Sequence, residues 1–129
     1  MTFSWADYLN LAQTLLQEAS TPPLEEAKLR SAISRAYFAA HCRARNDLRD
    51  QEGRSLPSGG AVHGVVINRF LRSPDRDRRR VGRCLEQWRI ARIEADYYHM
   101  VLRVADLATR ALEPARRVFS GPGSLIGPP

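Results

Sequence analysis

Within residues 92–99, Arg-Ile-Glu-Ala-Asp-Tyr-Tyr-His, three side chains of complementary chemistry stand close together: Arg92, Asp96 and His99. A histidine can move a proton near neutral pH, an arginine stabilises charge on phosphoryl oxygens, and RNA brings its own nucleophile in the 2′-OH. The set suits phosphodiester chemistry that requires no metal. In a continuous helix Arg92 and His99 would stand about 20° from eclipsed and roughly 10.5 Å apart along the axis, within joint reach of one ligand. If Asp96 instead caps a new helix, His99 falls in its first turn, where the N-terminal partial charge favours the neutral imidazole and attracts an anion. A structural role is the alternative. Arg92 fills the heptad position between Trp88 and Ala95 in the stripe Val81, Leu85, Trp88 and Ala95, so it points toward a helix seam. Asp96, four residues on, is then its nearest partner.

The other chemically capable residues read more plainly. His41 continues the apolar stripe of its segment beside Cys42, with no further ligand at a metal-binding spacing, so packing is its expected role. His63 precedes Gly64 after a flexible stretch, where a hydrogen bond to the preceding loop competes with a direct functional role. Cys42 and Cys84 stand 42 positions apart without a CxxC pattern, which suggests reduced core residues and neither a disulfide framework nor a zinc finger. No metal or other cofactor is implied.

Charge adds a candidate partner. Of 20 basic residues 19 are arginine, against 14 acids, for a net charge of +6. Residues 1–64 hold 7 basic and 7 acidic side chains and residues 65–129 hold 13 and 7, so the whole excess lies in the second half. Its densest part is 72–83, where Arg76, Arg78, Arg79, Arg80 and Arg83 form a candidate phosphate-binding surface, because each guanidinium can bind a phosphate and release a counterion. A solvated helix start explains the same residues without a ligand.

The elements that must hold these groups are helical. Tyr8, Leu9, Ala12, Leu15, Leu16 and Ala19 form an amphipathic stripe over 4–19, with Ser4 as expected N-cap and Asp7 three residues on. Pro22 and Pro23 break the chain, and Leu24, Ala27, Leu29, Ala32, Ile33, Ala36, Tyr37, Ala40 and Ala44 predict a second helix to about Arg49. Gln51–Gly60 reads as a surface loop. Val62, Val65, Val66, Phe70 and Leu71 favour a short third helix, although their β-branched content also suits a strand. Pro74 restarts the chain, and the long span that follows is expected to break at Asp96. Beyond it Tyr97, Val101, Val104, Ala108, Ala111, Ala115 and Val118 alternate by four and three, the seam of a helix in an antiparallel bundle.

The length of 129 residues and 43% hydrophobic content fit one all-α domain over 1–120, followed by a flexible Gly/Pro-rich tail at 121–129. No apolar run is long enough for a membrane span and no signal-peptide pattern is present, so a soluble, cytoplasmic protein is expected.

The chain resembles the HEPN superfamily of small all-α domains, specifically its stand-alone bacterial and archaeal members. The likeness rests on Arg30-Ser31-Ala32-Ile33-Ser34-Arg35-Ala36-Tyr37-Phe38-Ala39-Ala40, on His63-Gly64-Val65-Val66-Ile67, and on Arg92 to His99, where ArgxxAlaAspTyr is similar to the family's signature; it covers about residues 5 to 119. The resemblance implies a bundle of four or five helices that dimerises, bringing two Arg-His pairs into one cleft. In catalytic members that motif cuts RNA without metal and leaves a cyclic phosphate. Carried over by position, Arg92 would bind the scissile phosphate, His99 would transfer the proton, Asp96 would orient one of them, and Tyr97 or Tyr98 would stack on a base. The expected function is a metal-independent endoribonuclease, a toxin or defence component with an antitoxin or nucleotidyltransferase as partner. The alternative is a non-catalytic HEPN module that binds a nucleotide or a partner protein.

Overall fold

A computed structural model describes residues 3–20, 24–53 and 55–119, side chains excepted at 51 and 117–119. Among them the chain forms five helices and no strand: α1 (Ala6–Glu18), α2 (Glu25–Gln51), α3 (Ala61–Leu71), α4 (Arg76–Tyr97) and α5 (Val104–Phe119). The all-α bundle expected from the helical periodicities is what the chain adopts. No described helix is long and apolar enough to cross a membrane. Pro22, Pro23 and the Gly/Pro-rich segment 121–129 lie outside the described residues.

Helix α2 packs against all four others. Ala32, Ala36, Ala39, Ala40 and Ala44 are each at most 1% exposed, and Ile33, Tyr37 and Leu48 are equally enclosed. Buried positions surround its axis, as expected of a helix in the middle of a bundle, and the alanines let neighbouring helices approach its backbone closely. Leu24 is no part of this surface. It is 66% exposed and sits before the helix at φ 75°, in the left-handed region that disfavours a branched side chain.

Helix α3 buries Val62, Val66, Ile67 and Phe70, a 3–4 spacing that only a helix places on one face, which decides against the strand. It lies very close to α4 at Gly82, where an added Cβ would stand 2.7 Å from the Leu71 amide nitrogen. Asp75 opens α4 by accepting from the Arg78 amide at 3.2 Å, satisfying one of the first-turn donors.

Two helix boundaries depart from expectation. Trp5, without a side-chain bond, occupies the N-cap of α1; Ser4 contributes its carbonyl, which accepts from the Asp7 amide at 3.0 Å. Helix α4 runs through Asp96 to Tyr97, and α5 begins at Val104, so Asp96 caps nothing and the break is a connection over 98–103. Tyr97, 71% exposed, and Val101, in that connection, therefore fall off the seam, which holds Ala108, Ala111 and Ala115 in the core.

Candidate functional site

The C-terminal end of α4 is seated on one face of α2 by residues four apart on that helix. Arg30 donates to the carbonyls of Ala95 at 3.3 Å, Tyr98 at 2.5 Å and His99 at 3.2 Å, while Glu26 Oε2 holds its Nε at 3.0 Å. These carbonyls have no partner within α4, and a cation there also complements the helix dipole. Ser34, buried one turn further along α2, donates from Oγ to Asp96 Oδ2 at 3.1 Å. Phe38, another turn on, lies under Arg92, whose guanidinium carbon is 4.9 Å from its ring centroid. Arg30, Ser34 and Phe38 thus form a continuous cradle for the α4 terminus.

Arg92 and Asp96 are paired, as their spacing predicts. Asp96 Oδ2 lies 2.9 Å from Arg92 Nε but off the line of its N–H, so the contact is an ion pair and the buried Nε–H lacks an aligned acceptor. The Tyr97 ring also contacts the guanidinium, its centroid 5.6 Å from the guanidinium carbon. Both charged side chains remain partly exposed, at 21% for Arg92 and 28% for Asp96.

His99 is placed differently from expectation. It lies in the 98–103 connection and not in the first turn of a helix. Its carbonyl is anchored by Arg30, whereas its side chain is exposed. Tyr97, Tyr98, Met100 and Leu102 around it are 55–81% exposed, giving an aromatic and apolar rim beside Arg92.

The arginine-rich segment does not act as one surface. Arg78 turns inward, donating to Asp47 Oδ2 at 2.8 Å and Glu52 Oε1 at 3.0 Å, with its guanidinium carbon 4.5 Å from the Phe70 ring centroid. Arg79 folds back on the preceding turn and donates to the carbonyls of Ser73 and Pro74. Arg76 and Arg83 are exposed and Arg80 is half-buried, so these three keep a surface position. The start of α4 and Arg92 are separated by about 24 Å of helix at 1.5 Å per residue.

A second polar cluster between α2, α3 and α4 was less visible in the sequence. Tyr37 Oη lies 2.6 Å from His63 Nδ1, so the partner of His63 is on α2 and not in the preceding loop. The His63 and His41 rings stack at 4.1 Å, and Tyr37 stacks on both at 5.7 Å. Burial pushes the Tyr37 phenol up to about 12, with Arg89 and Arg92 opposing, so it keeps its proton. Burial pushes His41 down to about 3, assisted by His63, Arg45 and Arg89. His63 is lowered too, by burial first and then by Arg89, Arg92 and Arg45. His41 Nδ1 is buried without a hydrogen-bond partner. The i, i+4 spacing of Tyr37 and His41 was the signal available; that His63 would stack on them required the packing of α3. Among the described residues no group of three or more His, Cys, Asp or Glu side chains is placed to hold a metal ion.

No family model matches the chain, and no curated protein or solved structure does either.

Proposed function

We propose that this protein is an RNA-binding module of HEPN type that acts as a homodimer and cleaves RNA without a metal ion. The observation that supports this reading is Arg92, in contact with the rings of Phe38 and Tyr97 and paired with Asp96, beside the exposed connection that carries His99. Phosphate oxygens bind the guanidinium of Arg92. His99 takes the proton of the 2′-OH as its oxygen attacks the adjacent phosphorus; the P–O5′ bond breaks and the leaving 5′-oxygen takes up a proton from water. The products are a 2′,3′-cyclic phosphate and a 5′-hydroxyl. Asp96 holds Arg92 in position, and the exposed rings of Tyr97 and Tyr98 supply stacking surfaces for bases.

A dimer would bring a second Arg92 and His99 to the same cleft. An activity of this kind suits a cytoplasmic toxin or defence component restrained by an antitoxin or nucleotidyltransferase. A second reading, a non-catalytic module for a nucleotide or a partner protein, is favoured by the Arg92–Asp96 pair, which gives the arginine a structural partner.

Binding of a labelled single-stranded RNA across a salt series tests the RNA contact. If Arg76, Arg80 and Arg83 each neutralise a phosphate, replacing all three with glutamine flattens the salt dependence by about 2 log units per decade. A slope unchanged from the parent would remove this end of α4 from the interface.

A further inference from the structure

Arg45 is a half-buried cation on α2 whose described partners are all neutral. Its Nε and Nη2 donate to Asn46 Oδ1 at 3.3 and 3.2 Å, and its guanidinium carbon stands 5.5 Å from the Trp5 ring centroid. Among the described residues no carboxylate pairs with it, and Nη1 keeps its donors. An arginine partly withdrawn from water ordinarily meets an anion, because an uncompensated charge is costly there. One turn on along α2, Arg49 is bonded to its sequence neighbour Asp50 at 2.8 Å, with both side chains more than half exposed. Water screens such a pair, so it does not close the guanidinium to a ligand.

Both arginines line one cavity of about 610 Å³ between the C-terminal part of α2 and the loop that leads into α3. That volume falls within the range of about 300–1,000 Å³ usual for small-molecule sites. Ser55 and Ser58 add hydroxyls that have no hydrogen-bond partner among the described residues, and no acidic side chain is in the lining. Leu56 and Val62 give the cavity an apolar side. At Gly59, in the left-handed region at φ 75°, an added Cβ would have nothing within 4 Å, so the loop backbone is open to a ligand. Gly60 caps α3 without a side chain, and the positive end of that helix dipole adds to the field of the arginines. Two guanidinium groups and two hydroxyls around a space without a carboxylate match the oxygens of a tetrahedral anion, and the apolar side suits a base or sugar. We propose that this cavity is a receptor for a phosphate group, held by Arg45 and Arg49 and carried either as the monoester of a nucleotide or as the diester of an RNA backbone. Neither Arg92 nor His99 lines it, and Arg45 stands seven residues beyond Phe38, about 10.5 Å along α2, so its occupancy does not depend on RNA cleavage.

The experiment follows the backbone amide signals of Ser58, Gly59 and Gly60 by NMR at low salt while a nucleoside 5′-monophosphate or a dinucleoside phosphodiester is added. Saturable movement of those signals is expected, with affinity weakened about ten-fold or more in Arg45→Met and partly restored in Arg45→Lys. Because Arg45 also packs on Trp5, Arg49→Met at an exposed position is the second variant, and it should weaken binding in the same direction. Binding by the monophosphate alone assigns a nucleotide receptor, and equal binding by the diester assigns the RNA backbone; both support the proposal. Signals that stay fixed with both probes, or that report the same affinity in the parent and either arginine-to-methionine variant, would overturn it.

Discussion

Arg78 Nη1 lies 2.8 Å from Oδ2 of Asp47, whose side chain is only 1% exposed. The other carboxylate oxygen, Oδ1, has no partner, so Arg78 is the cation that balances a charge enclosed by α2 and α4. Breaking such a pair by removing one member costs about 3–5 kcal/mol, because the remaining charge stays desolvated. Arg78→Ala is therefore expected to lose that much in urea unfolding, while Arg83→Ala, at an exposed position, stays within about 0.5 kcal/mol of the parent. Equal stability of the two variants would show that Asp47 is not held in this way.

Gly82 tests the closeness of α3 and α4. A Cβ there would meet the Leu71 amide nitrogen at 2.7 Å and the Phe70 carbonyl carbon at 3.0 Å, both backbone atoms that no rotamer change can move. Gly82→Ala should lower stability by about 1–3 kcal/mol despite the better helix propensity of alanine. Gly60→Ala, with nothing within 4 Å of the added methyl, is the control and should be nearly neutral. A Gly82→Ala protein as stable as the parent would contradict the packing.

The buried His41 and half-buried His63 imidazoles make stability acid-sensitive. Unfolded, His41 protonates near 6.5, whereas in the bundle burial holds it down to about 3, with His63, Arg45 and Arg89 acting in the same direction. Between those values the unfolded chain binds more protons, so stability is full above about 6.5 and falls as the pH drops through the window. The slope from this group approaches about 1.4 kcal/mol per pH unit, and His63, also lowered, adds in the same direction. Unfolding midpoints at pH 7 and pH 5 should diverge less in His41→Gln than in the parent. Identical divergence would mean that His41 charges freely in the fold.

Helix content and the Arg92–Asp96 pair were legible in the sequence because both follow from spacing along one helix. The limits of legibility are physical. Ile67 and Phe70 identify α3 only once their shared burial is known, since a short run of β-branched residues suits either backbone. The end of α4 could not be placed from 92–99, because Arg30 fixes it from 65 positions away through the Ala95 carbonyl. For the same reason Arg78 looked equivalent to Arg76 and Arg83. Its partner Asp47 belongs to another helix, and composition does not distinguish an arginine that faces solvent from one that faces a buried carboxylate. His63 likewise acquired Tyr37 as a partner only through tertiary contact.

The proposed RNA cleavage depends on Arg92 and His99 together. The direct measurement incubates purified parent, Arg92→Ala and His99→Ala with mixed single-stranded and structured RNA in the presence of a chelator and identifies the new ends. Cleavage by the parent to 2′,3′-cyclic phosphate and 5′-hydroxyl ends, lost in both variants, is the predicted result. RNA left intact by folded parent protein, or cut equally by all three, would contradict it.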